Sequence, residues 1–152
     1  MRRFKRSHKG PVNASKVTFD GVLFASSLEV YCYQQLKKHK LFEHYESEKF
    51  TTIEGATSSI RTYERQSNGK GEFKERGYGK KVLGISYKPD FTGRDFIIEV
   101  KGRPNESFPL RWKLFKLHQI ATGDNRTIYK PQNKKEIDEC IQLIIQHRNG
   151  QE

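Results

Sequence analysis

Apolar positions recur at helical spacing in three stretches of this chain and alternate or cluster between them. Over Ser26 to Lys40, Leu28, Tyr31, Cys32, Gln35 and Leu36 keep the i, i+3, i+4, i+7 spacing of a half-buried helix. Ser26 and Glu29 make a Ser-x-x-Glu capping box at its start. A second helix is predicted from Ser107 to Gln119, with Pro109 near the first turn, where a missing N–H leaves no bond unmade. Leu110, Leu114 and Leu117 are expected to pack inward with Phe115 at the flank, leaving Trp112 outside between Lys113 and Lys116. A third helix, Asn133 to Gln146, opens on an Asn-x-x-Glu box (Asn133, Glu136) and carries an Ile137, Cys140, Ile141, Ile144 stripe. Val17 to Phe24 alternates loosely, as a short strand or an extended entry to the first helix. Phe42 to Ile53 and Arg126 to Lys130 read as strands. Gly55 to Gly84 is rich in Gly, Arg, Lys and Ser and reads as a long hairpin or loop.

The segment from Tyr87 to Gly102 is among the most apolar in the chain, with Phe91, Phe96, Ile97, Ile98 and Val100, yet it also carries Asp90, Glu99 and Lys101. Thr92-Gly93-Arg94-Asp95 predicts a hairpin turn. A type II′ loop with Gly93 and Arg94 at its centre sets Asp90 opposite Ile97 and makes Asp90 and Glu99 diagonal neighbours, about 7–8 Å apart at the backbone. Strand alternation puts Asp90, Glu99 and Lys101 on one side and Phe96, Ile98 and Val100 on the other. Two carboxylates in that relation can close on one hard cation with a lysine beside it. A solvated face carrying ordinary surface charges is the alternative. The apolar surroundings weigh against it, because buried charges without partners are costly.

Composition narrows the class. A chain of 152 residues is long enough for one domain with a modest core. Hydrophobic content is 34% and mean hydropathy is −0.88, and no apolar run approaches the ~18–20 residues that span a bilayer. The basic N-terminus lacks an apolar stretch after it, so a secretory signal is not expected. Cys32 and Cys140 fall inside amphipathic patterns and read as small buried side chains, in keeping with a reducing, cytoplasmic setting. The five histidines lack zinc-ligand spacing. Residues 1–16 hold six Lys/Arg and no acid, and residues 55–88 hold eight against three acids; these two segments account for the whole net charge of +11. Arms of this kind suit nucleic-acid phosphates. Tyr63, Phe73 and Tyr78 lie among the second set of charges, either to stack on bases or to form a small hairpin core.

Pro89-Asp90 … Glu99-x-Lys101 resembles the signature of the PD-(D/E)xK nuclease superfamily. Phe19-Asp20-Gly21-Val22-Leu23-Phe24-Ala25-Ser26-Ser27-Leu28-Glu29 is similar to the opening of small phage and prophage endonucleases of that superfamily, and to the helix glutamate of bacteriophage endonuclease I, a Holliday-junction resolvase. The likeness spans roughly residues 17–54 and 86–120. It implies an α/β, restriction-endonuclease-like core, a mixed central sheet flanked by helices, with a basic arm at 1–16, a single nuclease domain at 17–152 and a basic insertion at 55–85. It implies Mg²⁺- or Mn²⁺-dependent hydrolysis of DNA phosphodiesters inside the cell, as by a phage-encoded enzyme acting in the host cytoplasm. Asp90, Glu99 and the Val100 backbone carbonyl would be metal ligands, Lys101 would stabilise the attacking water or developing charge, and Glu29 would contact a second metal or that water. Glu29 is open to a second reading, as the N3 member of its capping box. Arg2, Arg3, Lys5, Arg6, Lys9, Lys16, Arg61, Arg65, Lys80, Lys81, Lys113 and Lys116 are the candidate DNA contacts. Four-way junctions and other branched DNA, cut by a homodimer, are the implied substrates. The rival readings are a nicking phage endonuclease without structural preference, and a non-catalytic or assembly-dependent nucleic-acid-binding module on the same fold.

Overall fold

A computed structural model describes residues 15–150 of the chain. In chain order the elements are β1 (Val17–Phe19), β2 (Val22–Phe24), α1 (Ser27–Lys38), β3 (His44–Tyr45), β4 (Phe50–Ile53), β5 (Ala56–Thr57), β6 (Tyr63–Glu64) and β7 (Lys74–Glu75). They continue with β8 (Lys81–Val82), β9 (Ile85–Tyr87), β10 (Phe91–Thr92), β11 (Phe96–Ile98), α2 (Phe108–Thr122), β12 (Thr127–Tyr129) and α3 (Lys134–Asn149). The fold is α/β with a mixed central sheet, as the pattern of the sequence predicts. Two compact units divide the chain: one takes the described residues up to Tyr45 with Asp90–Asn105 and those from Arg126 onward, the other Glu46–Pro89 and Glu106–Asn125.

The first unit is built on the sheet β12-β11-β10-β3, in which β11 and β12 run parallel and the other neighbours antiparallel. Phe91, Phe96, Ile98, Val100 and Tyr129 of this sheet share a core with Val30, Cys32, Tyr33 and Leu36 of α1 and Ile137, Cys140, Ile141 and Ile144 of α3. Both helices begin as predicted. The Ser26 and Asn133 side chains accept from the Glu29 and Glu136 N–H groups, at 3.2 and 2.9 Å. At the other end of α1, Lys40 takes a left-handed φ of 56°, and the Leu41 N–H donates to the Leu36 carbonyl at 2.8 Å. This closure usually falls to glycine. Ahead of α1, the Val17–Phe24 segment is a tight hairpin. Asp20 and Gly21 have φ of 53° and 73° and sit between the Phe19–Val22 pair, which is the Asp-Gly type I′ loop whose twist suits the flanking strands.

The predicted strand Phe42 to Ile53 is two strands. Glu46 adopts φ 46° directly after β3, which breaks the run; β3 joins the first unit's sheet and β4 belongs to the second unit.

In the second unit, β4–β9, β5–β8 and β6–β7 form successive rungs of one antiparallel ribbon. Phe50 pairs with Tyr87 and Thr51 with Ser86 at the root, and the register shifts by one residue between Thr51 and Ile53. From there Ile53 pairs with Ile85, Ala56 with Val82, Thr57 with Lys81, Tyr63 with Glu75 and Glu64 with Lys74 in one register out to the tip. The insertion is therefore the long hairpin of the two forms considered. Its strands approach closely at Gly55 and Gly84: a Cβ on Gly55 would lie 2.7 Å from the Val82 carbonyl oxygen and one on Gly84 2.6 Å from that of Ile53. The root rests on α2, where Phe115 stacks on Tyr87 (4.5 Å between ring centres) and meets Phe50 at 5.2 Å.

The buried face of α2 differs from the predicted one. Phe108, Phe115 and Gln119 are buried, whereas Leu110 and Leu117 are 62% and 55% exposed. Apolar residues run around most of this helix, so their spacing selects no single face. The large rings of Phe108, Trp112 and Phe115 (Phe108–Trp112 and Trp112–Phe115 centres 5.9 and 5.8 Å apart) take the inside, where they bury the most area.

Candidate active site

Asp90, Glu99, Lys101 and Glu29 all belong to the first unit. The turn that positions Asp90 and Glu99 is not the predicted one. Phe91 pairs with Ile98 and Thr92 with Ile97, and the Gly93 N–H donates to the Phe96 carbonyl at 2.9 Å. The loop is thus centred on Arg94 and Asp95, and Gly93 is absent from the positive-φ positions, so it is not the first central residue of a type II′ turn. Carried one step further, this register sets Asp90 directly across from Glu99 rather than diagonal to it. The shift preserves which residues share a face, so the division of Asp90, Glu99 and Lys101 from Phe96, Ile98 and Val100 stands.

Backbone donors fix the pair alternately from both sides. The Glu99 and Lys101 N–H groups continue the parallel ladder, donating to the Tyr129 and Pro131 carbonyls at 2.9 and 3.0 Å. The Val100 N–H points the other way and donates to Asp90 Oδ2 at 2.7 Å. Glu99 is 7% exposed, and its Oε1 lies 4.0 Å from the Lys101 ammonium. Burial pushes the Asp90 carboxyl well above the usual carboxylate range, and the negative fields of Glu99 and Glu29 push the same way. The Val100 N–H and Lys101 oppose them without cancelling them. Asp90 also raises the buried Cys32 thiol, after burial itself, so its field reaches α1.

Glu29 is 5% exposed and held locally. Its carboxylate accepts from Ser26 Oγ at 2.9 Å, the Ala25 N–H at 3.1 Å and the Tyr45 hydroxyl at 2.8 Å. Its capping-box role is thus present, and its charge bears on Asp90 at the same time. Among the described residues no group of three or more His, Cys, Asp and Glu side chains is arranged to hold a metal ion. The donors that face one another are the two hard-oxygen carboxylates of Asp90 and Glu99.

The turn that carries this pair is braced at its far end. Arg148, from the end of α3, grips Asp95 through Nε at 2.8 Å and Nη2 at 2.5 Å and reaches Glu43 at 3.2 Å. Glu43 also accepts the Arg94 N–H at 2.9 Å. This grip holds the Asp95 carboxyl below the usual carboxylate range. Neither Arg148 nor Tyr45 carries a signal in the sequence, because their partners lie far away along the chain and depend on the strand pairing.

Of the candidate DNA contacts, Arg2, Arg3, Lys5, Arg6 and Lys9 lie outside the described residues. Lys16 is exposed in the first unit. In the second, Arg61, Arg65, Lys80 and Lys81 are exposed on the ribbon and Lys113 and Lys116 on α2. Cys32 and Cys140 are free, buried thiols, and burial chiefly pushes that of Cys140 up to about 11. No helix among the described residues is long and apolar enough to cross a membrane.

No curated protein and no solved structure matches the chain. One family model does, that of DUF1064, a protein of unknown function, over residues 9–135. That stretch covers most of the chain, including Glu29, Asp90, Glu99 and Lys101, and by it the chain belongs to the DUF1064 family.

Proposed function

We propose that this protein is a divalent-metal-dependent DNA endonuclease acting at Asp90, Glu99 and Lys101. The observation that carries the reading is the facing pair Asp90 and Glu99 with a lysine at its edge, where burial first, and then the fields of Glu99 and Glu29, hinder ionisation of Asp90. A fold gains nothing in stability by crowding like charges in low dielectric, and such crowding gathers at functional sites. The likeness of these residues to the PD-(D/E)xK signature supports the same reading.

The donor set fits a hard cation: Asp90 and Glu99 offer only oxygen, as Mg²⁺ and Mn²⁺ require. When bound, such an ion supplies Lewis acidity toward the phosphate and a more acidic water. The rest of the work falls to the chain. Hydrolysis adds water across a P–O bond, so the attacking oxygen loses a proton and the leaving oxygen gains one. The Lys101 ammonium, 4.0 Å from Glu99, holds the incoming water and stabilises the charge that grows on the phosphate oxygens. Glu29, fixed by Ser26, Ala25 and Tyr45, orients the Asp90 side of the site through its field. Gly102, whose added Cβ would meet nothing nearer than 3.9 Å, leaves the exit of the strand open to a DNA backbone. Branched DNA is the substrate class we assign, with a dimer cutting two strands of a four-way junction.

The test is cleavage of a synthetic four-way junction and a matched linear duplex with Mg²⁺, Mn²⁺ or EDTA, beside Glu99→Ala. Metal-dependent paired cuts near the branch, absent in the variant, are expected. Equal nicking of both substrates would keep the nuclease and remove the junction preference. Binding without cleavage under every metal would leave a DNA-binding module.

A further inference from the structure

The outer ribbon combines features that neither its folding nor the catalytic pair requires. Tyr63, Phe73 and Tyr78 are 59%, 68% and 62% exposed, so they form no core. Tyr63 and Phe73 stand side by side, with ring centres 6.3 Å apart. The register explains this: Tyr63 lies across from Glu75, and one alternation outward brings Arg65 and Phe73 to the same side. Arg61, two residues before Tyr63, falls on that side as well. Glu64 and Lys74 pair on the opposite side, where Arg76 donates to the Glu64 backbone carbonyl at 3.1 Å. On the aromatic side the one acid of these rungs, Glu75, accepts the Gly77 and Tyr78 N–H groups at 2.9 and 2.8 Å. Two open rings flanked by two arginines, with the neighbouring carboxylate turned to the backbone, make a surface complementary to flat, unstacked bases joined by phosphates.

We propose that this face of the ribbon binds single-stranded DNA, with bases stacking on Tyr63 and Phe73 and phosphates meeting Arg61 and Arg65. The proposal rests on the reading of the protein as one that acts on DNA. It adds the preference for unpaired nucleotides, such as those exposed at a branch or flap. A duplex hides its base faces and offers only phosphates, so the arginines bind both forms and the rings discriminate between them.

The experiment measures binding of the full chain to a fluorescently labelled oligo-dT and to a blunt duplex of the same length, in EDTA. Tyr63→Ala/Phe73→Ala is expected to weaken the single strand about tenfold or more and to leave the duplex within twofold. Arg61→Ala/Arg65→Ala weakens both and flattens their salt dependence. Tyr63→Trp keeps single-strand affinity, and its added indole fluorescence is quenched by unlabelled oligo-dT. Equal losses on both ligands in the aromatic variant, no loss on either, or an added indole that oligo-dT leaves unquenched would overturn the proposal. Binding in EDTA is read apart from cleavage. Failure of the nuclease reading leaves these affinities standing, and failure of the ribbon leaves metal-dependent cutting of duplex intact.

Discussion

The β10–β11 hairpin and the ribbon of the second unit are both two-stranded antiparallel elements, but each inverts the usual rule of burial in its own direction. In the hairpin, carboxylates stand where apolar side chains are expected: Glu99 is 7% exposed and neighbours the fully buried Ile98. In the ribbon, aromatic and aliphatic side chains stand where charges are expected, with Tyr63, Phe73, Val82 and Leu83 all exposed. The first inversion is held in place by rigid supports, namely the parallel ladder to β12, the α1–α3 core and the Arg148 brace. The second has an anchored root on α2 and a tip held by local hydrogen bonds, such as that from the Gln66 N–H to the Lys70 carbonyl. A site for bond-breaking needs fixed geometry, whereas a surface that receives a pliable strand does not. On the proposed function, the first element would carry the chemistry and the second the binding.

The sharpest way to break that contrast is to neutralise the hairpin carboxylates. Glu99→Gln is expected to lower cleavage by two or more orders of magnitude while raising thermal stability by about 0.5–2 kcal/mol, since the like-charge crowding of Asp90 is relieved. Loss of both activity and stability in a melting experiment would make Glu99 a structural residue instead.

Next in size is the brace. Arg148→Ala removes both bonds to Asp95, each side chain being less than a third exposed, and is expected to cost about 1–2 kcal/mol in denaturant unfolding. The same pair sets a pH signature. Arg148 holds the folded Asp95 below its unfolded value, so the pair's contribution is fully present above the ordinary carboxylate range, near pH ~4. It is lost as the pH falls through the depressed folded value. The native protein should therefore lose stability on acidification more steeply than Arg148→Ala, and parallel curves would remove the brace from the account.

Smaller still, Lys40→Gly relieves a left-handed residue at the end of α1 and should gain about 0.5–1 kcal/mol. Smallest of all, Tyr63→Ala should shift stability by less than about 0.5 kcal/mol, because its ring covers no core. A large loss there would turn the ribbon's aromatic face into a folding element.

Much of this was legible in the chain because it is local. The Ser26–Glu29 and Asn133–Glu136 boxes start their helices where the motif puts them, and strand alternation sorts Asp90, Glu99 and Lys101 onto one face for the expected and the observed two-residue loop alike. What was not legible depends on long-range choices. The loop centre moved by one residue because Gly93, which invited a type II′ turn, instead pairs with Phe96 across the hairpin, and Arg148, Glu43 and the Arg126 segment fix Arg94 and Asp95 at the apex. The face of α2 was misread because apolar residues surround that helix. Asp20-Gly21 is a local hairpin signal, although the loose alternation around it suggested only a strand or an extended entry. The register that the ribbon keeps from Ile53–Ile85 outward, and with it the side shared by Tyr63 and Phe73, cannot be read from composition.

The most direct test of the central claim is a Mn²⁺ titration followed by electron paramagnetic resonance, which counts free ion, on the native protein and on Asp90→Asn/Glu99→Gln. The account predicts saturable Mn²⁺ binding by the native chain and its loss in the double variant, with circular dichroism unchanged. Equal binding by both proteins, or none by the native one in the presence of DNA, would contradict the assignment of the Asp90–Glu99 pair as a metal site.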